Sequence, residues 1–365
     1  MQDCGIDVLW LSTEADVRYL TGFLTQFWQS PTRPWYLLLP QSGMPVAVIP
    51  AIGEPCMQRT WVEDIRTWTS PYPDDDGVSL LVDTVIDLAG QDATIGLPMG
   101  PETHMRCPLA DLERIRRHLG NARWEDATSL IRQVRQIKSA AEIDKLRHVC
   151  AIASRTFADV PLFARAGMSE MDVFRAFKIA CLQHGADDVA YLVGAARAGG
   201  YDDIISPPGD HVLVDGDVLI LDTGCTFDGY FADFDRNYAI NRVEVATASA
   251  HQRTWDATEA GLASIKPGVT CSTVFTAMHR VLAPGRGGAS LVGRLGHGLG
   301  IQLTETPSIT ELDQTVLMPG MVMTLEPGFS YAPGRVMVHE ENVVVTDDGY
   351  ELLSVRARRD IPVIV

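Results

Sequence analysis

Short apolar runs bounded by turn formers alternate with stretches of helical spacing through the first third of the chain. Val8–Leu11, Tyr36–Leu39, Val46–Ile49 and Thr94–Leu97 read as strands, the middle ones closed off by Pro40, Gly43 and Pro50. Cys107–Leu119 then sets Leu109, Leu112, Ile115 and Leu119 one helical turn apart. This predicts an α/β domain over residues 1–128. The pattern changes near Ile131. Ser139 with Glu142 three positions on is a capping box, opening a helix through Ile143, Leu146, Val149 and Ile152. Ser169 with Asp172 opens another, through Phe174, Phe177 and Cys181 as far as Gly185. Strands dominate after Val212, at Val218–Leu221, Tyr238–Ile240, Met321–Leu325 and Val343–Val345, with helices around Arg253–Ile265 and Ser272–Leu282 between them. The second domain, 129–365, is therefore expected to be α+β.

Composition narrows the function. Of 365 residues, 47 are acidic and 30 basic, a formal charge of -17, so the clustered cations that hold phosphate backbones are missing and nucleic acid is excluded as a general partner. An acidic field instead tolerates cationic or zwitterionic small molecules and metal ions. The seven cysteines are scattered and form no CxxC pair, which fits a reducing, cytoplasmic setting. No segment approaches the ~20 uninterrupted apolar residues of a membrane helix.

Five segments of the second domain pair a metal-capable side chain with strand or turn residues: Leu221-Asp222-Thr223-Gly224, Ala232-Asp233-Phe234-Asp235, Gly296-His297-Gly298, Leu325-Glu326-Pro327 and His339-Glu340-Glu341-Asn342. Glu326 ends an apolar strand, and Glu340, between Val336–Val338 and Val343–Val345, is expected within another, where an unpaired carboxylate is costly to bury. Several acidic groups turned into one interior need cations. Four carboxylates and one imidazole suit Mn²⁺, Fe²⁺ or Co²⁺, with Zn²⁺ as a further option, better than a thiolate-rich closed site. Two such ions about 3.5 Å apart can share a hydroxide and offer it as a nucleophile near neutral pH.

The order Asp222, Asp233, His297, Glu326, Glu340, with gaps of 11, 64, 29 and 14, resembles the pita-bread metallopeptidases: prolidases, aminopeptidases P and methionine aminopeptidases, with creatinase as a metal-free relative. Asp16-Val17-Arg18-Tyr19-Leu20-Thr21-Gly22-Phe23 is similar to the opening of the creatinase-type N-terminal domain, and Ile137-Lys138-Ser139-Ala140-Ala141-Glu142-Ile143 to the start of the catalytic one. The resemblance implies a creatinase-like domain at 1–128 followed by a pita-bread catalytic domain at 129–365. It makes Asp222 a terminal ligand of one ion, Asp233 and Glu340 bridges between two, and His297 and Glu326 ligands that include the other, Glu326 doubling as the group that handles the proton of the attacking water.

The chain also departs from that pattern. The family's two substrate-facing histidines fall at Ile205 and Thr304, and its arginine before the last glutamate at Val338. Losing one such stabiliser typically costs about 10² to 10³ in rate, which argues against ordinary Xaa-Pro peptidase activity. The usual threonine after the second aspartate is Asp235, a further carboxylate counted here with Thr304 among the catalytic candidates. His339 alternates with Glu340 and is read as structural, and His211 as a surface residue. In dimeric relatives the N-terminal region reaches the partner's active site, so Trp28 and Trp35, in the loop Phe27–Trp35, are expected to contact substrate, as are Arg197, Tyr201 and Asp202. The expected form is a homodimer acting on a small molecule. The first expectation is a hydrolase of a carbon–nitrogen bond in a dipeptide-like substrate. A non-peptidase derivative stands second, such as a dimethylsulfoniopropionate lyase, creatinase or ectoine hydrolase. A metal-free binding module stands third.

Overall fold

The computed structural model describes residues 1–30, 33–283 and 293–365, and divides into two compact units, Met1–Val134 and Arg135–Val365. The division falls within helix Thr128–Gln136.

The first unit is built on a six-stranded mixed sheet, β1 (Val8–Leu11), β2 (Tyr36–Pro40), β3 (Val46–Pro50), β4 (Asp64–Trp68), β5 (Thr94–Leu97) and β6 (Arg123–Asp126), in the order β4-β3-β2-β1-β5-β6. Alternation along the strands splits its core in two. Val8, Trp10, Tyr36, Leu38, Val46 and Val48 point to one face, where helix Val78–Ala89 and Ile115 cover them. Leu9, Leu11, Leu37, Ala47 and Ile49 point to the other, against Phe23, Trp35 and Met57. The Asp16–Phe23 segment is mostly helix, Glu14–Thr21, capped by the Thr13 side chain.

In the second unit helix Ala140–Phe163 starts on the expected capping box of Ser139 and Glu142, and helix Glu170–Gln183 on Ser169. One sheet holds β7 (Asp188–Val193), β8 (Ala196–Ala198), β9 (Asp217–Phe227), β10 (Tyr230–Phe231), β11 (Phe234–Ile240) and, beyond the other elements, β19 (Val363–Ile364). A second runs β13-β12-β14-β17-β18, from β12 (His297–Gly298), β13 (Glu305–Ser308), β14 (Val322–Leu325), β17 (Glu341–Val345) and β18 (Tyr350–Leu352). A hairpin of β15 (Gly328–Ala332) and β16 (Arg335–Val338) lies between β14 and β17 in sequence. Helices Val245–Ser264 and Cys271–Leu282 pack on the second sheet through Ala257, Leu262, Val274 and Met278 against Met323, Leu325 and Val343. β9 is buried along nearly its whole length, which is why its apolar run could be read without alternation. No helix among the described residues is long and apolar enough to cross a membrane.

Candidate metal centre

The five carboxylate and imidazole side chains singled out by spacing are brought together from both sheets of the second unit. Asp222 comes from the middle of β9, Asp233 from the two-residue link between β10 and β11, His297 from β12, and Glu326 from the residue after β14. Glu340 is not in a strand as expected. It occupies the link between β16 and β17, where the chain changes partner from the hairpin to the sheet. Ligand atoms of Asp233, His297 and Glu326 lie within 4.8 Å of one another, and so do those of Asp222, Asp233 and Glu340. Asp233 belongs to both groups.

Glycines make the approach of His297 feasible. Gly296 has φ +148°, and a Cβ there would collide with the Thr324 carbonyl of β14; one on Gly298 would collide with the Thr306 carbonyl. The imidazole Nδ1 bonds to the Gly298 carbonyl at 2.8 Å, turning Nε2 toward Glu326 Oε1 at 2.8 Å and Asp233 Oδ2 at 3.3 Å. The Thr324 hydroxyl donates to Glu326 Oε1 as well. The Tyr191 hydroxyl donates to Asp222 Oδ2 at 3.0 Å, and Asn342 holds the backbone of Asp233 at both its N–H (3.0 Å) and its carbonyl (2.5 Å).

The electrostatics describe a cluster short of positive charge. Burial, then the charges of Asp222 and Glu326, push Asp233 well above the usual carboxylate range. Glu340 is raised likewise by burial and by its four acidic neighbours, and burial pushes Asp222 up to about 7. Glu326 behaves differently: burial acts upward, but the His297 charge and hydrogen bond outweigh it and hold the carboxyl below its ordinary value, while His297 is raised in return. Asp222 Oδ1 is buried with no hydrogen-bond partner among the described residues. An orphaned carboxylate oxygen beside mutually repelling acids is the arrangement that divalent cations relieve, so the donor set fits such ions.

The other candidates separate from this cluster. Trp35 is 1% exposed and packs against Phe23 and Trp28 with ring centroids 5.4 and 6.2 Å away, so it belongs to the first unit's core rather than to a substrate wall. Trp28 packs on the same core, and the cation on its ring is Arg106, 5.4 Å from the centroid, which also gathers the carbonyls of Phe27, Ser30 and Arg33. Pro31 and Thr32 of that loop lie outside the described residues. Tyr201 is fully buried and cannot face a substrate; its hydroxyl donates to Asn237 at 2.6 Å. Arg197 is tied to the buried Glu170 at 2.6 Å, and Asp202 is exposed on the following loop. Thr304 sits half-buried in the bend before β13. Asp235, expected to be catalytic, has both oxygens engaged by N–H donors, from Glu340 at 2.8 Å and Asn237 at 3.1 Å. His339 is buried, bonded to Thr258 at 2.9 Å, and His211 pairs with the buried Asp217 at 2.7 Å. Sequence reading missed Tyr191, the bond from Thr324 to Glu326 and the grip of Asn342 on Asp233. Asn342 lay within a quoted segment, but only strand pairing shows what it holds.

Such a fold and cluster define a class, the two-domain metal-dependent hydrolases with a creatinase-type N-terminal domain. The comparisons are specific: residues 144–347 match the model of metallopeptidase family M24, and residues 1–137 that of the creatinase/prolidase N-terminal domain. A probable dipeptidase PepE from Mycobacterium bovis is 31% identical over 355 residues, 95% of this chain and 89% of that protein. The crystal structure of dipeptidase PepE from Mycobacterium ulcerans matches at TM-score 0.85 and 28% identity, covering 100% of this chain and 94% of that one. That of an X-Pro aminopeptidase from Thermotoga maritima matches at TM-score 0.81 and 25% identity over 99% and 98% of the chains. The chain belongs to metallopeptidase family M24.

Proposed function

We propose that the protein is a dinuclear metal-dependent hydrolase that cleaves the carbon–nitrogen bond of a small, dipeptide-like or zwitterionic amide. The observation that carries this reading is the convergence of Asp222, Asp233, His297, Glu326 and Glu340 on one site, where burial and mutual repulsion raise Asp233 and Glu340. The relatives named as a dipeptidase and an X-Pro aminopeptidase support a substrate of that size.

In this reading Asp222 serves one ion, His297 and Glu326 the other, and Asp233 and Glu340 are shared. Two divalent ions held there would supply Lewis acidity and lower the pKa of a water molecule toward neutrality. The chain's own residues do the rest. Asn342 fixes the backbone of Asp233 and Tyr191 the carboxylate of Asp222, so the cage is set before substrate arrives. Glu326 has Oε1 beside His297 Nε2 and bonded to the Thr324 hydroxyl, so Oε1 would face the ion that His297 holds, leaving Oε2 to take the proton of the attacking water and return it to the leaving nitrogen. The missing histidines at Ile205 and Thr304 favour one alternative, a lyase or other non-peptidase derivative on the same scaffold. A homodimer completes the proposal.

Metal analysis of the reconstituted protein is expected to give two Mn²⁺ or Fe²⁺ per chain. The loaded protein is then offered Xaa-Pro dipeptides, acylated diamino acids, creatine and dimethylsulfoniopropionate. Amide hydrolysis supports the proposal, and carbon–sulfur cleavage alone replaces it with the lyase. Sedimentation as an active monomer removes the dimer.

A further inference from the structure

Glu340 stands at the end of a segment whose alternate residues are all gripped along one edge. The Val336 N–H donates to the Tyr201 carbonyl at 2.6 Å. The Val338 N–H donates to the Tyr201 hydroxyl at 3.3 Å, and the Val338 carbonyl accepts from Asn237 Nδ2 at 2.8 Å. The Glu340 N–H donates to Asp235 Oδ1 at 2.8 Å. These three partners are also bonded to one another, Tyr201 Oη to Asn237 Oδ1 at 2.6 Å and Asn237 Nδ2 to Asp235 Oδ2 at 3.1 Å. On its other side the Glu340 carbonyl accepts from Arg236 at 2.8 Å. Tyr201, Asp235 and Asn237 are all buried. A buried network of this kind is worth having only if every member is satisfied, and here each described polar atom of the three side chains has a partner.

We propose that Tyr201, Asn237 and Asp235 form a positioning chain that fixes the backbone of Glu340, so that its carboxylate reaches both ions. Asp235 thus works through Glu340, and the segment bearing Val338 is held by backbone bonds to Tyr201 and Asn237. The inference rests on Glu340 being a shared ligand. It predicts an effect on metal binding that a merely structural role would not produce.

The test is calorimetric titration of the chelated full-length protein with Mn²⁺, with thermal melts to check folding. The wild-type chain is expected to take up two ions. Asp235→Ala should weaken the weaker-held ion by about 10- to 100-fold, the usual effect of losing a group that orients a ligand. Tyr201→Phe, which removes one hydroxyl and keeps the ring, should weaken it by about three- to tenfold. Asp235→Asn keeps an acceptor for the Glu340 amide but turns an NH2 group toward Asn237 Nδ2, so its loss should fall between those of Tyr201→Phe and Asp235→Ala. Wild-type affinity in Asp235→Ala overturns the proposal, and so does wild-type affinity in both Tyr201→Phe and Asp235→Asn. If Asp235→Ala does not fold, unchanged Mn²⁺ affinity in Tyr201→Phe overturns it. A wild-type chain that binds no divalent ion fails one step earlier, taking down the shared-ligand reading and this inference with it.

Discussion

His297 holds Glu326 ionised although burial opposes it, and that carboxylate in turn raises His297, which would give up its Nε2 proton on taking an ion, since a ligating imidazole is neutral. Replacing Glu326 by Gln removes the negative charge while nearly preserving shape, so turnover should fall by about 10² to 10⁴ with the circular-dichroism spectrum unchanged. A folded Glu326→Gln variant at wild-type rate would take the proton-handling role away from this residue. His251 presents the opposite case, an imidazole kept neutral. Burial, reinforced by the charges of Arg236 and Arg356, pushes it down to about 4, and its Nδ1 is bonded to the Arg359 carbonyl at 3.1 Å. The unfolded chain takes up that proton near 6.5, so the stability linked to His251 is complete above about pH 6.5 and is lost as pH falls toward 4, roughly 3 kcal/mol in all. Melting temperatures across that window should decline, and the decline should be shallower in His251→Gln. An identical slope in the two proteins would locate the acid sensitivity elsewhere.

At the scale of elements, the loop after β12 depends on one buried carboxylate. Glu305, at the start of β13, accepts from Arg135 at 2.5 Å, Lys138 at 3.0 Å and the Gln302 amide at 3.2 Å; burial acts against its charge, but the two cations hold it below the usual carboxylate range. Glu305→Gln would leave both cations buried without a counter-charge and should cost about 3–5 kcal/mol, read from the denaturant midpoint. A loss under 1 kcal/mol would mean that Arg135 and Lys138 reach solvent in the variant. The same elements show what the sequence could reveal. Uniformly apolar runs such as β1, β3 and β14 and side-chain caps at Ser139 and Ser169 were legible, because burial and capping leave residue-type signatures. The half-buried β4, Asp64–Trp68, and the polar edge strand β6, Arg123–Asp126, were not, since pairing rather than side-chain burial makes them strands. The candidate ligands were legible from order and spacing. Their supports were not: Asp222 lies opposite Asp235 on one side and Val193 on the other, and only that register brings Tyr191 to it.

For the molecule as a whole, the two cores are separate and every candidate ligand lies in Arg135–Val365. Trp35→Ala should therefore destabilise the first unit by about 3–5 kcal/mol, the usual result of emptying an aromatic site in a core, without altering the metal content. Lost metal together with lost stability would show that the units are coupled. Saturating Mn²⁺ should act on the second unit instead, adding about 2.7 kcal/mol at a hundred times its dissociation constant, seen as a higher melting temperature. The spread of the ligands along the chain has a further consequence during synthesis. On the ribosome the first unit's sheet is complete once Asp126 has emerged, whereas the acids of β9 and its neighbouring link appear well before His297, and Glu340 comes last. A nascent chain paused after β11 carries an acidic hairpin that lacks His297 and has no second sheet to close it. Ion capture is thereby placed after translation of nearly the whole protein, and a truncated product ending before Glu340 would retain the first unit's strands yet have no finished cage in which to hold a cation.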